Sequence, residues 1–246
     1  MTDKPKPTPI GLNEIAEDAF GLSLRGFRTM WIALRKPQRV FDAARSLDWL
    51  GGRFTPSVRL VFSILAVMTA LRFLWAGEQS VLYGMVDLAV GSANAFSEHM
   101  AHEEFVESLL DHFVFFFPLT YMALHVLAVL GLRIWGRGTG YALRLRLHFV
   151  ALIPSTLFTL IGTPAFSAFS AESWRIIGPV FMVALLAIDF TTVMRGGAAG
   201  AGTFGKVWRS GLFALVNFVI SFITNTLAIM LAQIWMMTTI ELSAAG

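Results

Sequence analysis

Four polar side chains that could bind a solute or carry a proton stand inside long apolar stretches of this chain: His125, Asp189, Asn217 and Asn225. An ionisable group in such a stretch is expensive to place in lipid and is a functional-site hypothesis by default. Asp189 is therefore the main candidate for a substrate or proton role. The sequence nevertheless favours a structural role, in which Asp189 pairs with Arg144, Arg146 or His148 or reaches the inner interface near Arg195.

The depths of these residues predict which of them meet. At a rise of 1.5 Å per residue, His125, Thr159 and Asn225 fall near the middles of three apolar stretches and could share one layer. Asp189 and Asn217 each stand about five residues from the inner ends of their stretches, so we expect them at a similar depth.

The last apolar stretch carries its polar groups in a stripe. Asn217, Ser221 and Asn225 are spaced four apart, and Ala228 and Ala232 continue the same helical face. Small and polar residues in this arrangement are typical of helix–helix contacts in lipid. Hydrogen bonding between helices is thus the structural alternative to a binding role for these residues.

An acidic segment, residues 77–112, carries histidines that could bind a metal ion. His99, His102 and Glu103 offer imidazole and carboxylate ligands, which suit Zn²⁺ and other divalent ions. The H-E-x-x-H spacing of metalloproteases is absent from the segment. The alternative is a solvated acidic stripe with four-residue spacing, formed by Glu103, Glu107 and Asp111.

Composition argues against several other kinds of chemistry. The chain has no cysteine, which excludes disulfides, thiol catalysis and cysteine-ligated zinc. Residues 200–207 contain G-x-x-x-x-G-K, but Val207 stands where a phosphate-binding loop needs Ser or Thr. The chain shows neither a Ser/His/Asp arrangement nor the interleaving of basic and aromatic residues that is typical of RNA-binding proteins. We therefore expect no enzyme activity, no cofactor and no nucleic-acid partner.

The elements that must position these residues are membrane helices. Only 14% of the 246 residues are charged, against about 25% in a typical soluble domain. The sequence predicts an all-α bundle with a five-span membrane domain at 57–236 and a short tail at 237–246. Arg72 and Arg175 stand near the outer ends of their spans and are expected to snorkel. The five spans fall near 57–76, 113–134, 149–170, 174–194 and 212–236.

The segments between the spans alternate in charge. Residues 1–56 carry nine Lys and Arg, whereas 77–112 carries seven Asp and Glu and neither Lys nor Arg. Basic residues return in 133–148 and 195–211. By the positive-inside rule, this pattern predicts a multi-pass protein of a bacterial inner membrane with a cytoplasmic amino terminus and a periplasmic carboxyl terminus.

The first 56 residues predict a disordered tail followed by surface helices. Residues 1–9 are polar and proline-rich, and 10–56 form two amphipathic stretches that Pro37 separates and that Gly51 and Gly52 end. These helices either lie on anionic lipid of the cytoplasmic leaflet or fold against the ends of the spans. The basic residues that would contact lipid are Arg25, Arg28, Arg35, Lys36 and Arg39.

Two runs in the second and third spans carry a family resemblance. HVLAVLGLRIWGRGTGY (125–141) contains a small-residue turn, and RLHFVALIPS (146–155) begins an apolar helix with an early proline. With the five-span layout, these runs resemble the Yip-domain membrane protein superfamily over residues 57–236. The resemblance implies a non-enzymatic protein that acts through lipid or protein contacts, and the family supplies no catalytic residues.

Three functions remain open from the sequence. The first is a membrane scaffold or organiser, whose basic leader binds anionic lipid and whose spans bind a protein partner or a second copy. The second is a small-solute or proton-coupled transporter that uses Asp189. The third is a metal-dependent membrane enzyme that uses His99 and His102.

Overall fold

The chain folds as an all-α bundle, as the sequence predicts. The computed structural model describes residues 24–75, 80–91, 101–136, 138–168, 171–197 and 202–244, and these contain no β-strand. A π-helical turn, Val193–Gly197, follows α8. The helices are α1 (Leu24–Arg35), α2 (Pro37–Arg45), α3 (Trp49–Gly52), α4 (Ser57–Trp75), α5 (Val81–Val90), α6 (His102–Gly131), α7 (Tyr141–Ala168), α8 (Ala171–Thr192) and α9 (Thr203–Ala244).

Five helices are long and apolar enough to cross a membrane, which makes the fold compatible with a multi-pass integral membrane protein. The helix α9 continues to Ala244, so most of the predicted tail extends the last span. The predicted tail at 1–9 and the helix predicted before Leu24 lie outside the described residues. The spanning segments are Ser57–Leu74, His102–Gly131, Tyr141–Pro164, Arg175–Gly196 and Thr203–Thr239.

One end of the bundle, here called the basic end, is built from residues 24–56, 132–136 and 193–197. Phe41 of α2 is fully buried there, and its ring lies 5.7 Å from the ring of Trp135. Arg195 of the π-helical turn donates a hydrogen bond to the carbonyl of Arg35. The leader helices therefore fold against the ends of the spans, which is one of the two arrangements that the sequence left open.

The boundary at Pro37 is confirmed, but the second leader helix ends earlier than expected. The helix α2 begins at Pro37 and stops at Arg45, and α3 is a separate turn with positive φ at all four of its residues. The left-handed conformation costs about 1–2 kcal/mol for each non-glycine residue, here Trp49 and Leu50. Gly51 and Gly52 complete the turn because they adopt positive φ without this penalty.

The acidic segment packs against the spans through α5. Val81, Leu82 and Val86 of this helix are buried. The Nε2 atom of His102 lies 2.7 Å from Oδ1 of Asp87, which joins the beginning of α6 to α5. This arrangement places the apolar face of α5 next to the interior of the bundle.

The helices α6 and α9 form the most extensive contact in the bundle. Ala228 and Ala232 of α9 are fully buried, and the ring of Trp235 packs against the ring of Phe116 at 6.3 Å. Small side chains allow helix backbones to approach closely in lipid. The alanine part of the predicted stripe therefore packs inside the bundle.

Candidate binding cavity

Side chains from all five spans and from α5 line one cavity inside the bundle, here called the central cavity. Its volume is about 150 Å³. Most lining residues are apolar or aromatic, with polar groups at a few positions, which is the usual composition of small-molecule sites. The polar lining residues are Arg72, Tyr121, Ser155, Thr156, Thr159, Asp189, Asn217, Ser221 and Asn225.

Asp189 and Asn217 meet at one end of the central cavity. Asp189 is only 2% exposed, and its Oδ2 accepts a hydrogen bond from Nδ2 of Asn217. The hydroxyl of Ser155 lies beside the same carboxyl group, but it donates its hydrogen bond to the carbonyl of Leu152. Among the described residues, Oδ1 of Asp189 and Oδ1 of Asn217 have no hydrogen-bond partner. Because buried acceptors are almost always satisfied, these two atoms call for a donor from within the cavity.

The predicted ion pair of Asp189 is wrong, whereas the predicted match in depth with Asn217 is confirmed. The partner is an amide because the nearby arginines turn toward unpaired carbonyls at helix ends and in the leader. The basic candidates make other contacts: Arg144 with the carbonyl of Val129, Arg146 with that of Ser46, Arg195 with that of Arg35, and His148 with His125.

Arg72 lies at the other end of the central cavity. Its side chain is 6% exposed, and its guanidinium carbon lies 4.3 Å from the centre of the Phe117 ring. Within the described part of the chain, its Nε and Nη1 have no hydrogen-bond partner. The snorkelling predicted for Arg72 is therefore wrong, because the aromatic face of Phe117 provides a site for the cation inside the bundle. Arg175, by contrast, is exposed.

The predicted layer of His125, Thr159 and Asn225 forms only in part. Thr159 and Asn225 both line the central cavity. His125 lies nearer the basic end and contacts His148 instead. The depth prediction failed for His125 because α6 begins at His102, so the middle of this helix precedes His125 by about two turns.

His125 and His148 form a buried pair in closely packed surroundings. Nδ1 of His125 and Nε2 of His148 are 3.0 Å apart, and both residues are fully buried. The ring of Phe213 lies 5.3 Å from His148, and the ring of Tyr121 lies 4.3 Å from His125. Tyr121 also lines the central cavity, so it connects the pair to the cavity wall.

The proposed metal ligands belong to the acidic segment, and neither His102 nor Glu103 lines the central cavity. His99 falls outside the described residues, His102 contacts Asp87, and Glu103 is exposed. Across the described ranges, no group of three or more His, Asp or Glu residues could hold a metal ion. A site that includes His99 stays a prediction.

The basic residues assigned to the lipid surface all belong to the leader at the basic end. Arg25 is half-buried and donates a hydrogen bond to the carbonyl of Gly52. Beside these residues, α1 exposes a row of large apolar side chains, namely Leu24, Phe27, Trp31 and Leu34. The exposed basic residues are Arg28, Arg35, Lys36 and Arg39.

The sequence did not predict four of the polar residues that line the central cavity: Arg72, Tyr121, Ser155 and Thr156. Arg72 stands within a predicted span, and a charged residue at that position is itself the signal that could have found it. Tyr121, Ser155 and Thr156 give no comparable signal, because a tyrosine, a serine or a threonine inside a span is cheap when its hydroxyl bonds to a neighbouring group.

Comparisons with known proteins give no relative from which a function could be carried over. No family model matches the chain, and searches of curated proteins and of solved structures found no match. The resemblance to the Yip-domain superfamily therefore stays a prediction.

Proposed function

We propose that this chain is a non-enzymatic membrane protein that binds a small solute in the central cavity and moves it across the bilayer. The contact between Asp189 and Asn217 carries the proposal, since each residue has one buried acceptor oxygen at the cavity wall that no described group satisfies. A buried unsatisfied polar group costs about 1–3 kcal/mol, and a solute with donor groups would offset that cost.

The packing of α8 supports movement of the site. In the most apolar 18 residues of each span, 22% of the residues in the α8 span are buried within the bundle, against 56% in the α7 span. A segment with few buried contacts can shift at low free-energy cost. Because α8 carries Asp189, a shift of this helix would change which groups bond to the carboxylate and whether a solute can reach it.

Internal prolines beside the central cavity also favour a path for solute. Proline removes a backbone donor from its helix, and irregular backbone at membrane depth is tolerated where it lines a cavity. The prolines are Pro118 in α6, Pro154 in α7 and Pro179 in α8, and the neighbouring lining residues are Phe117, Ser155 and Phe181.

The proposal is tested by uptake into proteoliposomes that contain the full chain. Four radiolabelled probes of similar size but different charge are compared: lactate, alanine, putrescine and erythritol. Asp189→Asn keeps the size of the side chain and its acceptor for Asn217 but removes the charge. Asp111→Asn is the matched control, because Asp111 is exposed at the beginning of α6.

We expect at least one probe to enter these proteoliposomes faster than it enters protein-free liposomes. Asp189→Asn should slow that uptake by about tenfold, because it removes one charge-assisted hydrogen bond to the solute. Asp111→Asn should transport as the unaltered protein does. Equal uptake by Asp189→Asn would refute the proposal. Uptake at the protein-free rate of all four probes and of 4-hydroxybenzoate, an anionic probe with an aromatic ring, would refute it as well.

The leader favours a second candidate function, that of a membrane organiser. The exposed row on α1 lies beside exposed cationic side chains, which is the pattern of helices that lie in the lipid interface. The guanidinium of Arg35 stacks over the Trp31 ring at 4.0 Å, so cationic and apolar side chains share one surface. In the orientation that the charge pattern predicts, this surface faces anionic lipid of the cytoplasmic leaflet in a bacterial inner membrane.

Native mass spectrometry of the protein in lipid nanodiscs tests the organiser role. Replacement of Arg28, Lys36 and Arg39 by Gln should lower the retained anionic lipid by roughly fivefold or more, whereas Arg175→Gln should not change it. The same spectra report a bound protein partner or a second copy of the chain. Equal lipid retention in both variants, with no partner or second copy, would reject this role.

A further inference from the structure

The two ends of the central cavity have opposite hydrogen-bonding chemistry. At one end, Asp189 and Asn217 each present an acceptor oxygen that has no partner in the part of the chain that the structure describes. At the other end, Arg72 presents a cation whose Nε and Nη1 have no hydrogen-bond partner within the described residues. Between them the wall is mainly apolar and includes the rings of Phe117 and Phe181. A matching ligand must therefore accept hydrogen bonds from Arg72 at one end and donate them to Asp189 and Asn217 at the other.

The separation of the two ends follows from the helix contacts. Ser57 donates a hydrogen bond to the carbonyl of Arg146, so these residues share one level of the bundle. Ser155, which lies beside Asp189, follows Arg146 on α7, and Arg72 follows Ser57 on α4. At 1.5 Å per residue, Arg72 stands about 9 Å farther along the bundle axis than Ser155. The ligand is therefore elongated.

The volume limits the size of the ligand. A cavity of about 150 Å³ holds one benzene-sized molecule, or a few waters where its walls are polar. A single aromatic ring with one polar substituent at each end fits both the volume and the separation of the ends.

We propose that the central cavity binds a small organic anion, with its carboxylate on Arg72, an apolar body against the aromatic wall, and a hydrogen-bond donor on Asp189 and Asn217. This inference rests on the proposed function, because it names the class of solute for the same cavity. Arg72 is then a residue that determines charge specificity, and its guanidinium offers the carboxylate charge-assisted hydrogen bonds.

Binding of three related probes to the full chain in nanodiscs tests the ligand class. 4-Hydroxybenzoate carries both end groups, 4-hydroxybenzamide lacks the charge, and benzoate lacks the donor. The variants are Arg72→Gln and, as a matched control, Arg175→Gln, which removes an exposed arginine from α8. Titration calorimetry gives the affinities, and the fluorescence of the seven tryptophans reports thermal unfolding of each variant.

We expect the unaltered protein to bind 4-hydroxybenzoate more tightly than either analogue. Arg72→Gln should weaken that binding by about tenfold to hundredfold, the worth of a hydrogen bond to a charged group, and should leave binding of the amide nearly unchanged. Arg175→Gln should bind as the unaltered protein does. If Arg72 served packing alone, its replacement would lower the unfolding temperature and weaken both probes equally.

Equal affinity of the unaltered protein for acid and amide would overturn the ligand class, and this comparison requires no variant. Binding of the amide or uptake of an uncharged or cationic solute would then leave the proposed function standing. Absence of binding by all three probes, together with protein-free rates of uptake for every solute, would overturn both.

Discussion

The two halves of the bundle interior hold their polar side chains in different ways. Toward the basic end, His125 and His148 bond to each other and aromatic rings fill the space around them. In the other half, Asp189 and Arg72 lie at opposite ends of a cavity with atoms that no described group satisfies. Each histidine also leaves one ring nitrogen unpartnered among the described residues, but neither histidine lines the central cavity.

This difference separates two uses of polarity inside a membrane bundle. A polar pair enclosed by packed rings fixes which helices meet and at what register. Polar atoms that line an open volume are available to a ligand, and they keep their desolvation cost until it binds. Substitutions should therefore affect stability in the packed half and binding in the half with the central cavity.

The largest difference is expected between two phenylalanines of α9. Phe213 is fully buried and contacts the rings of Trp135 and His148, whereas Phe218 lines the cavity and is 38% exposed. Phe213→Ala should destabilise the protein by about 3–5 kcal/mol and Phe218→Ala by about 1 kcal/mol. Thermal and denaturant unfolding in detergent, followed by tryptophan fluorescence, measures both. Equal losses would show that the two halves are equally packed.

The next largest difference is expected in the free energy of unfolding when one buried polar side chain is removed from each half. His148→Ala should cost about 2–3 kcal/mol, because it opens a gap and leaves His125 without its partner. Arg72→Met should change stability by less than about 1 kcal/mol or raise it, because it removes a buried charge that no described acidic group pairs and keeps an unbranched apolar stem. If Arg72→Met lowered the free energy of unfolding as much as His148→Ala does, Arg72 would have a structural role.

A smaller effect tests how closely the leader packs on the spans. A Cβ added at Gly196 would lie 2.6 Å from Cδ2 of Phe41 and 2.9 Å from the backbone nitrogen of Gln38. Gly196→Ala should therefore destabilise the protein by about 1–3 kcal/mol. Gly211→Ala is the control, because a Cβ there meets nothing within 4 Å in the helix α9, and it should be neutral or stabilising by up to about 1 kcal/mol. The same unfolding assay compares the two, and a neutral Gly196→Ala would mean that α2 is loosely docked.

The smallest effect concerns the left-handed turn α3. Leu50 has φ of 56° and is 44% exposed, so its side chain adds strain without much burial. Leu50→Gly relieves that strain but increases the conformational entropy of the unfolded chain. The net effect should stabilise the protein by about 1 kcal/mol. A decrease in the unfolding midpoint would mean that Leu50 makes a contact that outweighs the strain.

Much of the fold could be predicted from the sequence because membrane helices depend on local properties. Apolar length located the five spans, and Pro37 located the boundary between α1 and α2. Depth along the helices also matched Asp189 with Asn217, since both were counted from nearby basic loops that mark helix ends. That match located one end of the central cavity.

The rest depended on contacts between distant parts of the chain. Counting from apolar runs misplaced His125, because α6 begins with charged residues that precede its apolar part. The burial of Arg72 depends on Phe117 of another helix, which spacing along α4 cannot show. The positive φ of Trp49 has no sequence signal either, since only the adjacent glycines favour a left-handed turn.

Because the chain has no cysteine, the accessibility of single introduced cysteines tests the division between the two halves most directly. Ser221 lines the central cavity, and Ser210 is fully buried earlier on the same helix α9. Ser221→Cys and Ser210→Cys in membrane vesicles are treated with a small methanethiosulfonate reagent. We expect the Ser221→Cys thiol to react at least about tenfold faster, because thiol reactivity requires access to water. A Ser221→Cys thiol that stays unlabelled, or labelling of Ser210→Cys at the same rate, would contradict a solute-binding cavity in this bundle.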